Sequence, residues 1–128
     1  MKFAGVDQLV LHGRAERPVY LYIRDDIVEL RDARGLWGKD VWETTAALRA
    51  ELGDGNVQVA TIGPGAENGV RFSGSFANLN RTAARTGMGA VMASKNLKAV
   101  AVRGTGSFPV ADMGRFQSII AHLDETIY

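Results

Sequence analysis

With 128 residues, 46% of them hydrophobic, the chain is long enough to bury the core of one compact domain. Its 15 basic side chains against 14 acidic ones leave a net charge of +1; no long-range field draws nucleic acid or an anionic membrane, so any basic site has to be local. The chain has no cysteine, which removes disulfides, thiolate nucleophiles, zinc–thiolate sites and thiolate-held iron–sulfur clusters from its own chemistry.

The opening residues, MKFAGVDQLVLHGR, break their apolar run with Gly5, Asp7 and Gln8 and lack a small-residue cleavage pattern, so they do not read as a secretory signal. No apolar stretch approaches membrane-spanning length, and the cytoplasm is the default location. Asp7–His12, Val19–Ile23 and Ile27–Leu30 are short apolar runs bounded by Gly13, Pro18 and Asp25-Asp26. They predict three strands, the last two forming a hairpin with the aspartates as turn residues.

From Asp40 the period changes. Asp40 with Glu43 three residues on makes a capping-box pattern, and the helix should run through Leu52 to stop at Gly53, with Trp42, Ala46 or Ala47, and Leu48 on its apolar face. Trp37 and Trp42 are expected as core or interface anchors. Val57–Ile62, Val70–Ser73 and Leu97–Val102 predict further strands, the first two separated by the Gly63-Pro64-Gly65 turn, in which Glu67 and Asn68 are expected to support the backbone.

After Pro109, Asp112 is the expected cap of a last helix, with Met113, Phe116, Ile119, Ile120, Leu123 and Ile127 at helical spacing. Gly104-Thr105-Gly106-Ser107 is the best linker. The chain is therefore read as residues 1–104 plus a linker and helix at 105–128. Strand runs alternate irregularly with helices behind an opening hairpin, which predicts an α+β fold of mixed and antiparallel sheets with short helices. His12 and His122 have no ligand-spaced partner and are expected on the surface or in packing.

The segment NRTAARTGMGAVMASKNLK, Asn80–Lys98, is the strongest candidate site. Arg81 and Arg85 precede Gly87 and Gly89 and a short helical run. Guanidinium groups offer paired donors to phosphate oxygens, and N–H groups at a glycine-rich turn face whatever binds there.

Three ordered segments, ARGLWGKDVWETTAALRAELGD, VATIGPGAENGVRFSG and Asn80–Gly104, together with the opening AGVDQLVLHGRAERPVYLYI, resemble the N-terminal domain of the aldehyde ferredoxin oxidoreductase family. That resemblance implies a tungsten (or molybdenum) bis-pyranopterin, and a complete protein that oxidises aldehydes to carboxylic acids. Electrons would leave through a [4Fe–4S] cluster to ferredoxin or another acceptor. By position, it implies that Arg81 clamps a pterin phosphate and that the Thr82 carbonyl ligates a magnesium ion bridging the phosphates, with Arg85, Gly87 and Gly89 shaping the loop against the cofactor. The family usually has glycine where this chain has Ala84, Thr86 and Ala93, and its IGPAGEN is here IGPGAEN. Its cluster cysteines, proton-transfer acid and histidine, and an upstream magnesium ligand fall outside the region covered, so the remaining domains are the expected partners and the chain alone is expected to be inactive. Exposed apolar surface would then favour self-association into a homo-oligomer. A stand-alone phosphate- or cofactor-binding module and a decayed gene product are the alternatives.

Overall fold

The computed structural model describes residues 1–107 and 109–127. Strands β1 (Val19–Arg24) and β2 (Ile27–Asp32) form the expected hairpin, paired antiparallel from Val19↔Asp32 to Arg24↔Ile27. They are followed by α1 (Val41–Leu52), β3 (Gln58–Thr61), α2 (Pro64–Glu67), β4 (Ser75–Ala77), β5 (Arg81–Ala83), α3 (Met88–Ser94), β6 (Leu97–Arg103) and α4 (Met113–Ile127). The six strands make one mixed sheet in the order β2-β1-β6-β3-β4-β5. Among the described residues only β1 and β6 run parallel, and the α+β class expected from the sequence holds.

Two adjacent interior strands, β1 and β6, explain the packing. Tyr20 and Tyr22 on β1 stand opposite Ala99 and Ala101 on β6, large against small, and this face is closed by α1 through Leu48 with Ala33, Leu36, Val57 and Val59. On the other face Leu21, Ile23, Leu97 and Val102 pack against Ala4, Val6, Leu9, Leu11 and Met92. Because both faces are covered, four consecutive residues of β1 are buried and the run reads as continuously apolar.

Two strand expectations fail. Residues 7–12 form no strand; the half-buried Leu9 and Leu11 lie over the sheet and pack against it by side chain without joining a ladder. The apolar alternation was real but reported packing on a sheet face. His12 thus closes no strand, and it and His122 are exposed. Residues 70–73 form a turn beyond α2, held by Val70 N–H to Gly65 O and Ser73 N–H to Val70 O, so the strand starts only at Ser75.

Helix α1 begins and ends as its residues dictate. Asp40 accepts from Glu43 N–H at 2.8 Å, Glu43 returns the bond to Asp40 N–H at 3.0 Å, and Gly53 closes the helix at φ 64°. Its buried face is Val41, Thr44, Thr45 and Leu48, rotated from the expected one, and Trp42 is 62% exposed while Trp37 is half-buried. Neither tryptophan is a core anchor. At the hairpin tip Asp25 sits at φ 52° and accepts from Thr105 N–H at 2.7 Å and Thr105 Oγ1 at 2.9 Å. The backbone donor at Thr105 holds the Asp25 carboxyl below the usual carboxylate range. Gly106 N–H reaches Phe3 O, so the glycine-rich segment after β6 is tied to both the N-terminal residues and the hairpin.

Helix α4 is capped by Asp112, which accepts from Arg115 N–H, and no residue of it is buried. Its apolar stripe, from Met113 at 51% to Ile127 at 67% exposure, has no cover among the described residues. No helix of the described residues is long and apolar enough to cross a membrane.

Candidate functional site

The Asn80–Lys98 segment opens on the last strand of the sheet. Strand β5 pairs on one side with β4, placing Thr82 opposite Phe76 and Arg81 opposite Ala77. An edge strand leaves a row of backbone donors and acceptors outside the ladder. Arg85–Gly87 form a 3₁₀ turn that leads directly into α3. Arg81, Thr82 and Arg85 are exposed, whereas Gly87 and Gly89 are buried.

The glycines are needed because two pieces of backbone touch there. At Gly87, φ is +74°, and a Cβ would stand 2.2 Å from the carbonyl oxygen of Arg71. At Gly89 a Cβ would meet the Gly74 carbonyl oxygen at 2.5 Å, and the Gly89 N–H donates to Ser73 O at 2.9 Å. A Cβ on Gly74 would in turn lie 2.9 Å from Thr82 Cγ2. Three stretches, 71–74, 81–83 and 85–89, are therefore locked together at one edge of the sheet.

Beside this edge lies an open cleft of about 380 Å³, walled by Trp42, Pro64, Val70, Phe72 and Phe76. Phe72 is 83% exposed. The cleft and the basic edge share Ser73 and Gly74, and Phe76 is the ladder partner of Thr82. Ser73 Oγ is buried without a hydrogen-bond partner among the described residues. A buried hydroxyl in that state is costly unless something supplies the missing bond. The guanidinium groups of Arg81 and Arg85 likewise have no hydrogen bond or ion pair among the described residues, and no three His, Cys, Asp or Glu side chains gather there into a metal site.

A buried ion pair not expected from the sequence ties together elements that carry two of the cleft's walls, α2 and the approach to α1. Lys98 on β6 is fully buried, and its Nζ donates to Glu67 Oε1 at 2.5 Å and to Lys39 O at 2.7 Å. Glu67 Oε2 accepts from Gly38 N–H at 2.7 Å. Glu67 was expected to brace its own turn; that task falls to Asn68, whose Nδ2 donates to Pro64 O. Glu67 instead fastens α2 to the sheet and to the loop before α1. A lysine within the run LKAVAV was the available signal, since a cation on a two-faced central strand needs a buried acceptor.

The sequence departures from the family resolve one by one. Ala84 has φ −100° and Ala93 lies within α3, both ordinary for alanine. Gly65 has no positive φ and open space at its Cβ position, and Ala66 is buried in α2, so the exchanged pair costs nothing locally. Thr86 differs: at φ 67° it holds a left-handed backbone that a β-branched residue adopts only under strain. Thr86→Gly is expected to stabilise the chain by about 1 kcal/mol, visible as a higher midpoint in urea unfolding.

The profile of the family described as aldehyde ferredoxin oxidoreductase, N-terminal domain, matches residues 1–104. The tungsten-containing aldehyde ferredoxin oxidoreductase of Pyrococcus abyssi is 54% identical over 120 residues, which cover 94% of this chain and 20% of that protein. The aliphatic sulfonate oxidoreductase, WOR-like subunit, of Pyrococcus furiosus is 39% identical over 85% of this chain and 19% of its own length. Among solved structures, a chain of the active site complex BamBC of benzoyl coenzyme A reductase in complex with 1,5 dienoyl-CoA matches with a TM-score of 0.88 at 42% identity. That match covers 91% of this chain and 18% of the other. The chain spans about a fifth of the length of the curated relatives it matches.

Proposed function

Because this chain belongs to the aldehyde ferredoxin oxidoreductase family through its N-terminal domain, we propose that it forms part of the seat for the phosphate end of a tungsten bis-pyranopterin in an oxidoreductase. The observation that carries this reading is the pair of unpartnered guanidinium groups, Arg81 and Arg85, on an edge adjoining an aromatic-lined cleft. The relatives' names support it from another side. They carry different substrates, an aldehyde, an aliphatic sulfonate and benzoyl coenzyme A, while each shares this stretch of sequence. A portion common to enzymes of divergent substrate suits a common cofactor, and substrate choice then belongs to other parts of the protein.

The bound cofactor supplies the redox chemistry at its metal; the polypeptide supplies binding, orientation and electrostatics. Arg81 and Arg85 would neutralise phosphate oxygens through charge-assisted hydrogen bonds. The Thr82 carbonyl would offer one oxygen ligand to a magnesium ion, a hard cation that prefers oxygen donors. Ser73 Oγ has a bond to give or accept at the boundary between cleft and basic edge. A [4Fe–4S] cluster would be held by thiolates outside this cysteine-free chain, and oxidation of an aldehyde with transfer to ferredoxin would require the complete enzyme.

Arg81→Ala in the complete enzyme is expected to lower tungsten and pterin content severalfold, read by metal analysis and pterin fluorescence, with an unchanged circular dichroism spectrum. Full occupancy in the variant would remove Arg81 from the seat.

A further inference from the structure

From Asn68 to Ala111 the sequence contains no aspartate or glutamate, although the whole chain is almost neutral. The basic residues in that stretch are Arg71, Arg81, Arg85, Lys95, Lys98 and Arg103. Three are accounted for within the fold. Lys98 is paired with Glu67, Arg103 Nε donates to Asp54 at 2.6 Å, and Lys95 Nζ donates to Gly13 O at 3.0 Å. Arg71, Arg81 and Arg85 are left, all exposed and with no side-chain hydrogen bond or ion pair among the described residues.

Their main chains meet at the contacts already described: the Arg71 carbonyl is the atom that excludes a side chain at Gly87, two residues beyond Arg85, and Gly74 abuts Thr82, the neighbour of Arg81. Two residues after Arg71 is Ser73, with its buried unsatisfied hydroxyl. Three uncompensated like charges carried on adjoining backbone stretches raise the local positive potential, and a bound anion would be stabilised by it. We propose that Arg71 is a third guanidinium of the anion seat, acting with Arg81 and Arg85 on phosphate oxygens from the cleft side. This rests on the phosphate-seat reading above and adds to it a residue on a separate loop.

The test uses the 128-residue chain with inorganic pyrophosphate as the probe, followed by calorimetry and by amide chemical shifts. Arg71→Gln is expected to weaken pyrophosphate binding about fivefold, and Arg71→Lys less, because charge is kept while the planar fork is lost. Amide shifts in the Arg71→Gln variant should match wild type outside residues 68–90, which separates lost binding from lost fold. Arg24→Gln, on the far side of the sheet order, should bind as wild type does. Arg71→Gln binding normally while Arg81→Ala binds weakly would overturn this inference and leave the phosphate seat standing. Normal binding by Arg81→Ala and Arg85→Ala would remove the seat itself. An equal loss in Arg24→Gln would reduce all of it to non-specific charge and overturn the inference too.

Discussion

Lys98→Met is expected to destabilise the chain by about 3–5 kcal/mol, the usual consequence of stripping one partner from a buried ion pair. The size follows from what remains. Lys98 has no exposed surface and the Glu67 side chain retains only 4% of its own, so the carboxylate would keep Gly38 N–H as a donor and lose its counter-charge. Replacing both residues, as in Lys98→Met with Glu67→Met, should recover most of that loss, since well-packed apolar groups can replace a buried pair with little net effect. Urea unfolding of the two single variants and the double variant measures the coupling directly. A double variant as unstable as the single one would show that the pair is not the source. The cleft should respond as well. Lys98 reaches Lys39 on the approach to α1 and Glu67 at the end of α2, and those elements carry Trp42 and Pro64, two of its walls.

Gly87→Ala is the second large effect. A left-handed backbone costs a non-glycine residue about 1–2 kcal/mol, and forcing a methyl group into occupied space commonly adds roughly 1–3 more. Here the obstructing atom is the Arg71 carbonyl oxygen, which is main chain and has no rotamer by which to withdraw. The two stretches must separate, so pyrophosphate affinity should fall together with the unfolding midpoint. Gly65→Ala is the control. Its Cβ position is open and its backbone helical, so that variant should be as stable as wild type or up to about 1 kcal/mol more so. A neutral Gly87→Ala would mean that the 71–74 and 85–89 stretches are not tightly held.

The parts of this molecule legible in its sequence are those decided within a few residues. The Asp40–Glu43 capping box, the Gly53 stop, the Asp25 hairpin and the Asp112 cap all appear where local chemistry puts them. What was misread depends on distant partners. Leu9 and Leu11 alternate as strand residues do, yet β2 already occupies one edge of the sheet and β5 the other, so the segment crosses a face instead. Trp42 sits one position off the buried stripe of α1, a difference no composition argument resolves.

The same holds for the site. Arg81, Thr82, Arg85, Gly87 and Gly89 lie within one contiguous motif, which runs from the edge strand β5 through the 3₁₀ turn into α3. Arg71, Ser73 and the Lys98–Glu67 pair come from other segments and carry no motif of their own. The lysine within LKAVAV was the trace of the pair; for Arg71 it was the long stretch without acidic residues, informative only once Lys98, Lys95 and Arg103 are seen to be satisfied elsewhere.

The parallel pairing of β1 with β6 has a consequence for how the chain is made. Strand β1 is translated well before its neighbour between Leu97 and Arg103, the last of the six strands in chain order. At roughly 5–20 residues per second, the opening hairpin waits on the order of ten seconds for Ala99 and Ala101 to pack beside Tyr20 and Tyr22. Pairings that distant in sequence also form slowly once both strands exist. For that interval part of the apolar face is open to misassociation, and β2, with its exposed charges Glu29 and Asp32, guards the one edge that is already built.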